Sequence, residues 1–184
     1  IRYVHALQPA LATGSKPPTN EERERGLRRE SRTRSVADGY LMLRARSEAL
    51  REAGVEFHDL TEIYAGVEET IFIDACHVGP RGNQILAEEL AAALLHRDLS
   101  PTEDAAVGWV VEAVTPNAAD RPTLHDVVHL LAEPTEAMIS QSAGTSGHAL
   151  ARQLADLRFG LSKLLTGPLM GMFDGPTTEG INWE

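Results

Sequence analysis

The chain has 184 residues, of which 42% are hydrophobic and 24% are charged, as is ordinary for a globular protein of one domain or two small ones. Its formal net charge of −10 disfavours nonspecific nucleic-acid binding, because the phosphate backbone favours clustered Lys and Arg. No apolar run reaches about 18 residues, so we expect no membrane span. The single cysteine, Cys76, excludes an intrachain disulfide.

The chain begins with IRYVHALQP, which contains neither an initiator methionine nor a visible signal peptide. We therefore expect that the start of a longer chain is missing or has been processed away. The compartment is left open.

The first half of the sequence alternates short apolar runs with helical patterns. The predicted strands are Tyr3 to Leu7, which stops at Gln8-Pro9, Val55 to Leu60, and Thr70 to Asp74, the last of which could instead be extended chain. The predicted helices are one opened by a capping box of Thr19 and Glu22, one from Val36 to Ala53 closed by Gly54, and one from Asn83 to Leu95. This alternation predicts an α/β fold with a parallel sheet.

Residues 23–51 hold most of the arginines, interleaved with glutamates. The pattern favours a solvated helix face with i,i+4 ion pairs over a nucleic-acid surface.

The second half is predicted to be mainly helical. HRDLSPTEDAAVG mixes charges, Pro and small residues, so we place a linker at residues 97–107. Beyond it, Thr123 with Asp126 predicts a capped helix that ends near Ala132, and a further helix runs from about Ser146 to Leu165. A turn-rich stretch follows, and Ile181 to Trp183 is a candidate strand. The predicted organisation is thus 1–96, a linker, and 108–184.

Asp74 and His77 are the candidate catalytic residues. They are three positions apart, between the apolar run Ile71 to Ile73 and a Gly-Asn that starts a helix. A turn there can aim both side chains at a cleft beyond the carboxyl edge of the sheet. His77 could take a proton from a serine hydroxyl while Asp74 orients the imidazole. The other interpretation is a hydrogen-bonded turn that caps the sheet.

The stretch IFIDACHVGPRGNQILAEELAAALL resembles the last sequence block of the SGNH (GDSL-type) hydrolases, in which a strand leads to D-x-x-H, a Pro/Gly loop, Gly-Asn and an amphipathic helix. Upstream, HALQPALATGSKPPTNEERE and GVEFHDLTEIY are similar to family segments, so the resemblance covers residues 1 to about 96. It implies an incomplete flavodoxin-like, SGNH-type sheet and an esterase activity. It also implies that Asp74 and His77 are triad acid and base, and that the substrates are small acyl esters, lipids or acylated glycans.

The family's nucleophile lies in a Gly-Asp-Ser block, and its oxyanion groups are a Gly and an Asn in two later blocks. None of these blocks occurs in the sequence, so we expect a fragment that is inactive alone. The candidate replacement serines are Ser15, Ser140, Ser142 and Ser146. GTSGH resembles a nucleophile elbow superficially, but His148 stands where that pattern requires Gly. The resemblance implies no cofactor.

His125 and His129 are four positions apart in HDVVH, which is similar to an H-E-x-x-H zinc site. Asp126 is one methylene shorter than Glu and already serves as a capping partner, and His148 is a distant third ligand. We therefore favour a solvated or packed helix face and expect no metal.

A second resemblance involves PTLHDVVHLLAEP and LARQLADLRFGLSKLLTGPLMGMFDGPTTEGINWE, within residues 105–184. These segments look like the helical insertion of conjugation ATPases of the VirB4/TraG type, with the matching turn at Gly167 to Thr177. The sequence has no phosphate loop, so nucleotide hydrolysis is not expected. There are two alternatives to an ester hydrolase. The chain is either an accessory segment of a secretion ATPase or a composite of two unrelated fragments without activity.

Overall fold

The computed structural model describes residues 3–27, 30–114 and 122–166. Within these ranges the chain is an α/β protein with two strands and nine helices. It divides into two compact units, residues 1–90 and 91–184. None of the described helices is long and apolar enough to cross a membrane.

The first unit is built around a short parallel sheet. Its elements are β1 (Tyr3–Leu7), α1 (Asn20–Gly26), α2 (Glu30–Ala45), α3 (Ser47–Glu52), β2 (Val55–Asp59) and the first part of α4 (Pro80–Leu95). The two strands pair in parallel with His5 opposite Phe57, and the rings of these residues stack with centroids 5.1 Å apart. The expected α/β class with a parallel sheet is confirmed in this coarse form, while the SGNH-type sheet stays a prediction.

The core of the first unit lies under the chain that leads to Asp74. Its buried residues are Leu11, Tyr64, Ile71 and Phe72. The rings of Tyr64 and Phe72 meet edge to face at 5.6 Å, and the Tyr64 hydroxyl donates to the Gly82 carbonyl over 2.8 Å. Burial raises the pKa of Tyr64 to about 12. Tyr64, in the loop after β2, thereby joins the chain at Phe72 to the start of α4.

Several predicted boundaries of the first unit need correction. The single helix expected over Val36 to Ala53 is two helices, because the Arg46 N–H donates to the Leu43 carbonyl and tightens the turn between α2 and α3. Of the two interpretations of residues 70–74, chain outside the sheet fits, because Phe72 makes an isolated antiparallel bridge to Val78 and the chain bends at Ile73 and Asp74. The capping box of Thr19 and Glu22 is confirmed, and Gly54 closes α3 at a φ of 85°.

The regular elements among the described residues of the second unit are all helices. After the last part of α4 it contains α5 (Pro101–Val114), α6 (Leu124–Ala132), α7 (Glu136–Gln141), α8 (Gly147–Gln153) and α9 (Ala155–Thr166). The expected helix from Ser146 to Leu165 is interrupted at Leu154. The buried apolar residues of the second unit include Ala106, Val110, Leu131, Met138, Leu150, Leu154 and Leu157.

The stretch expected to be a linker is partly helical, because residues 101–107 belong to α5. Ser100 and Glu103 form a reciprocal cap, in which the Ser100 N–H donates to the Glu103 carboxylate and the Glu103 N–H donates to the Ser100 hydroxyl. Arg97 donates twice to the same carboxylate, over 2.7 and 2.8 Å. This bidentate pair lowers the pKa of the buried Glu103 carboxyl to about 2. The turn expected at Gly167 to Thr177 and the strand expected at Ile181 to Trp183 lie outside the described residues.

Candidate acid–base site at Asp74 and His77

Asp74 and His77 lie on one tight turn in the first unit. The chain enters the turn as extended backbone at Ile71 and returns at Val78. The Ile73 N–H donates to the His77 carbonyl over 3.0 Å, and the Gly79 N–H donates to the Ile71 carbonyl over 2.8 Å. These bonds fix the two ends of the D-x-x-H segment relative to each other.

The two carboxylate oxygens of Asp74 make separate interactions. Oδ1 accepts hydrogen bonds from the backbone N–H groups of Cys76 and His77, at 2.9 and 2.8 Å. Oδ2 lies 2.7 Å from Nδ1 of the His77 ring. The Cys76 amide, together with the amide and ring of His77, holds the pKa of the Asp74 carboxyl at about 2. One oxygen therefore stabilises the turn, and the other orients the imidazole.

His77 presents the opposite edge of its ring to solvent. Its side chain is 72% exposed, and its ring contacts within hydrogen-bonding range are to Asp74 and, at 3.8 Å, to the sulfur of Cys76, both through Nδ1. No residue of the described ranges hydrogen-bonds Nε2. An imidazole held at Nδ1 by a carboxylate and open at Nε2 can accept a proton at Nε2.

The buried carboxylate of Glu22 anchors the chain that carries the turn. Oε1 accepts from the backbone N–H groups of Ile71 and Phe72, at 2.8 and 2.9 Å. Oε2 accepts from the Thr19 N–H and from Nζ of the buried Lys16, each at 2.8 Å. These bonds outweigh the desolvation of Glu22 and lower the pKa of its carboxyl to about 2. The sequence indicated the capping role of Glu22, but not its long-range bonds to residues 71 and 72.

Two glycines permit close packing around the turn. A Cβ on Gly26 would lie 3.1 Å from the Asp74 carbonyl oxygen, and one on Gly82 would lie 2.6 Å from Cγ2 of Ile71. The Leu11 N–H donates to the Ala75 carbonyl over 3.0 Å. The chain after β1, the end of α1 and the start of α4 thus all contact the segment that contains Asp74.

The candidate replacement serines do not pair with His77. The hydroxyl of Ser15 donates to the Glu62 carboxylate, which also accepts from Arg44 at 3.2 Å. In the second unit, Ser140 and Ser142 donate to helix carbonyls, and Ser146 accepts from the Ala149 N–H as the cap of α8. Within the described part of the chain, His77 has no serine nucleophile at hydrogen-bonding distance.

His125 and His129 are both exposed on α6, and Asp126 accepts from the N–H and the hydroxyl of Thr123 at 2.7 and 2.8 Å. No set of three His, Cys, Asp or Glu ligand atoms includes this pair among the residues whose placement is described. The interpretation as a solvated helix face fits this geometry.

The arginine-rich region contains one of the expected i,i+4 ion pairs. Nη2 of Arg25 lies 2.7 Å from Oε1 of Glu21 on the exposed face of α1.

Comparisons of the chain with models of protein families, with curated proteins and with solved structures find no match.

Proposed function

We propose that Asp74 and His77 are the acid and base of an SGNH (GDSL-type) ester hydrolase whose nucleophile comes from outside the described residues. The observation that carries the proposal is the 2.7 Å contact between Asp74 Oδ2 and His77 Nδ1, with Oδ1 already fixed by two backbone amides. The two-stranded parallel sheet is consistent with residues 1–96 as the C-terminal part of such a domain.

The chemistry follows from the two edges of the imidazole. Nε2 of His77 takes the proton of a serine hydroxyl while the serine oxygen bonds to the acyl carbonyl carbon. The same proton then passes to the departing alkoxide as the ester C–O bond breaks, and His77 next activates water to release the acyl group. Asp74 accepts the Nδ1–H bond throughout and stabilises the imidazolium. Since its pKa is about 2, Asp74 is ionised at neutral pH and can accept this bond as a carboxylate.

The substrate class is inferred from the SGNH resemblance and comprises acyl esters of small molecules, lipids or glycans. The 184 residues alone are proposed to be inactive, because the described serines bond elsewhere and no oxyanion block occurs in the sequence. Asp74 and His77 alone can bind and transfer a proton, but they provide no serine oxygen to form the acyl-enzyme bond.

The tautomer of His77 tests the proposal on the present chain. At a pH that keeps imidazole neutral and with metal removed by a chelator, long-range proton–nitrogen correlation spectra should show the proton on Nδ1 and a lone pair on Nε2. His58 provides an internal comparison, since its Nε2 faces the Glu56 carboxylate at 3.1 Å and its proton should lie on Nε2.

Asp74→Asn is the matching variant. Its amide can donate to Nδ1, so the His77 proton should move to Nε2, the tautomer that cannot accept a serine proton. The His58 signals should stay in place. A wild-type His77 protonated on Nε2, or one unaffected by Asp74→Asn, would contradict the proposed acid–base pair.

A further inference from the structure

Three side chains of different chemistry converge on the exposed turn. The carboxylate of Asp74, the sulfur of Cys76 and a ring nitrogen of His77 all lie within 4.8 Å of one another. Cys76 is exposed, and it is the one cysteine of the sequence. Oxygen, sulfur and nitrogen donors together are the ligand set that Zn²⁺ and similar borderline-soft divalent cations prefer.

One separation among these atoms is already close to that of a tetrahedral zinc site, and a second is shorter than such a site needs. Zinc–ligand distances of about 2.0 to 2.3 Å at tetrahedral angles place sulfur about 3.6 Å from nitrogen and nitrogen about 3.4 Å from oxygen. Sγ of Cys76 is 3.8 Å from Nδ1 of His77, and Oδ2 of Asp74 is 2.7 Å from the same nitrogen. Opening the second distance by about 0.7 Å needs a small rotation of the exposed His77 ring.

The backbone orients the ligands in advance. Asp74 Oδ1 accepts from the amides of Cys76 and His77, so the carboxylate holds the two residues that provide the other ligands. Hydrogen bonds of this kind to a ligand's second oxygen fix its orientation and increase metal affinity. Glu22 fixes the preceding backbone through the amides of Ile71 and Phe72.

We infer that Asp74, Cys76 and His77 form a binding site for Zn²⁺, with a fourth position left to water. On binding, the Cys76 thiol loses its proton to solvent, and the His77 proton moves from Nδ1 to Nε2, so that Nδ1 is free to bind the metal. The metal therefore binds Nδ1, the ring nitrogen that faces Asp74. Nε2 then carries the proton and can no longer accept one. The site shares two residues with the proposed acid–base pair, but its existence does not require ester hydrolysis.

Cobalt(II) titration of the full chain tests the inference, since Co²⁺ occupies tetrahedral zinc sites and reports thiolate ligation by a charge-transfer absorption. The protein is reduced, freed of reductant and kept under argon. We expect one Co²⁺ per chain, a thiolate-to-cobalt band, displacement by Zn²⁺, and no competition by Mg²⁺, which prefers oxygen ligands.

Cys76→Ser should abolish the band, and His77→Ala should abolish or strongly weaken it. Both side chains are exposed, so circular dichroism should show unchanged folding. His125→Ala is the matched control, because it removes an exposed histidine from the HDVVH helix and should leave the band intact. Absence of a Cys76-dependent band, its persistence in His77→Ala, or saturation at one metal per two chains would overturn the inference.

Discussion

At the scale of single residues, Glu22 both caps α1 and helps to fix the position of the candidate site. Its carboxylate accepts four hydrogen bonds, from Lys16, Thr19, Ile71 and Phe72, and it is completely buried. A buried carboxylate is tolerated only where its oxygens are paired. Because two of its donors are the amides before Asp74, Glu22 is a positioning residue for the turn.

Glu22→Gln should lower the free energy of unfolding by about 3–5 kcal/mol, because it leaves the Lys16 ammonium buried without a counter-charge. The glutamine NH₂ group would also face a backbone or ammonium donor. Urea unfolding followed by circular dichroism measures the effect. Glu24→Gln is the control, since Glu24 is exposed on the same helix and its replacement should change the free energy by less than about 0.5 kcal/mol.

The same residue sets a pH dependence whose sign follows from its pKa. The folded pKa of Glu22 is about 2, against 4.5 for an unperturbed glutamate. Below pH 4.5 the unfolded state therefore binds more protons than the folded state, and stability falls as the pH drops from about 4.5 towards 2. Glu22→Gln should make this decline shallower. Glu103 and Asp74 have lowered pKa values as well, so a residual slope should remain. Parallel curves for both proteins would contradict the role of Glu22.

At the scale of elements, α4 approaches the turn through Gly82. A Cβ at this position would lie 2.6 Å from Cγ2 of Ile71 and 2.7 Å from Cβ of Val78, on the two arms of the segment that carries Asp74 and His77. Real Cβ atoms do not come this close, so α4 or the turn must shift if Gly82 is replaced.

Gly82→Ala should lower the free energy of unfolding by about 1–3 kcal/mol and shift the His77 ring signals in NMR spectra, because the clash outweighs the better helix propensity of Ala. Gly39 provides the matched control, since it lies within α2 and a Cβ there meets no atom within 4 Å. Gly39→Ala should stabilise by about 0.5–1 kcal/mol. Equal stabilisation by both substitutions would show that α4 does not press on the turn.

Local sequence signals predicted elements best where a cap or a breaker was present. Pro9 indicated that the first strand ends near Leu7, where β1 does end. The capping box of Thr123 and Asp126 correctly predicted the start of α6. The signal for α5 was also present, since Ser100 is followed by Pro101 and then Glu103 in capping-box spacing. It was outweighed by the charged and small residues around it, which suggested a linker.

At the scale of the whole molecule, the described residues bring Asp74 and His77 together but place no serine hydroxyl beside His77. The 184-residue chain should therefore hydrolyse p-nitrophenyl acetate no faster than its His77→Ala variant, measured by release of p-nitrophenolate at equal protein concentration. Without a serine oxygen, proton transfer at His77 is not coupled to acyl transfer.

His125→Ala and Ser15→Ala complete the set of variants for this assay. His125→Ala measures the background from an exposed imidazole. Ser15→Ala tests the serine that follows β1 in the first unit. A clear rate that His77→Ala abolishes would refute the prediction, and its loss in Ser15→Ala would identify that serine as the nucleophile.

The sequence by itself determined the α/β class, both strands of the sheet, the starts of α1, α6 and α8, and the D-x-x-H spacing of Asp74 and His77. These depend on contacts between residues close in the chain, such as caps, strand-breaking prolines and a D-x-x-H spacing. Only the tertiary structure decided that Glu22 holds the amides at residues 71 and 72, about fifty positions away, and that the Cys76 sulfur lies within 4.8 Å of the side-chain oxygen of Asp74 and the ring nitrogen of His77. Such contacts depend on how distant segments pack and on which way a turn aims its side chains, and neither is encoded in local spacing.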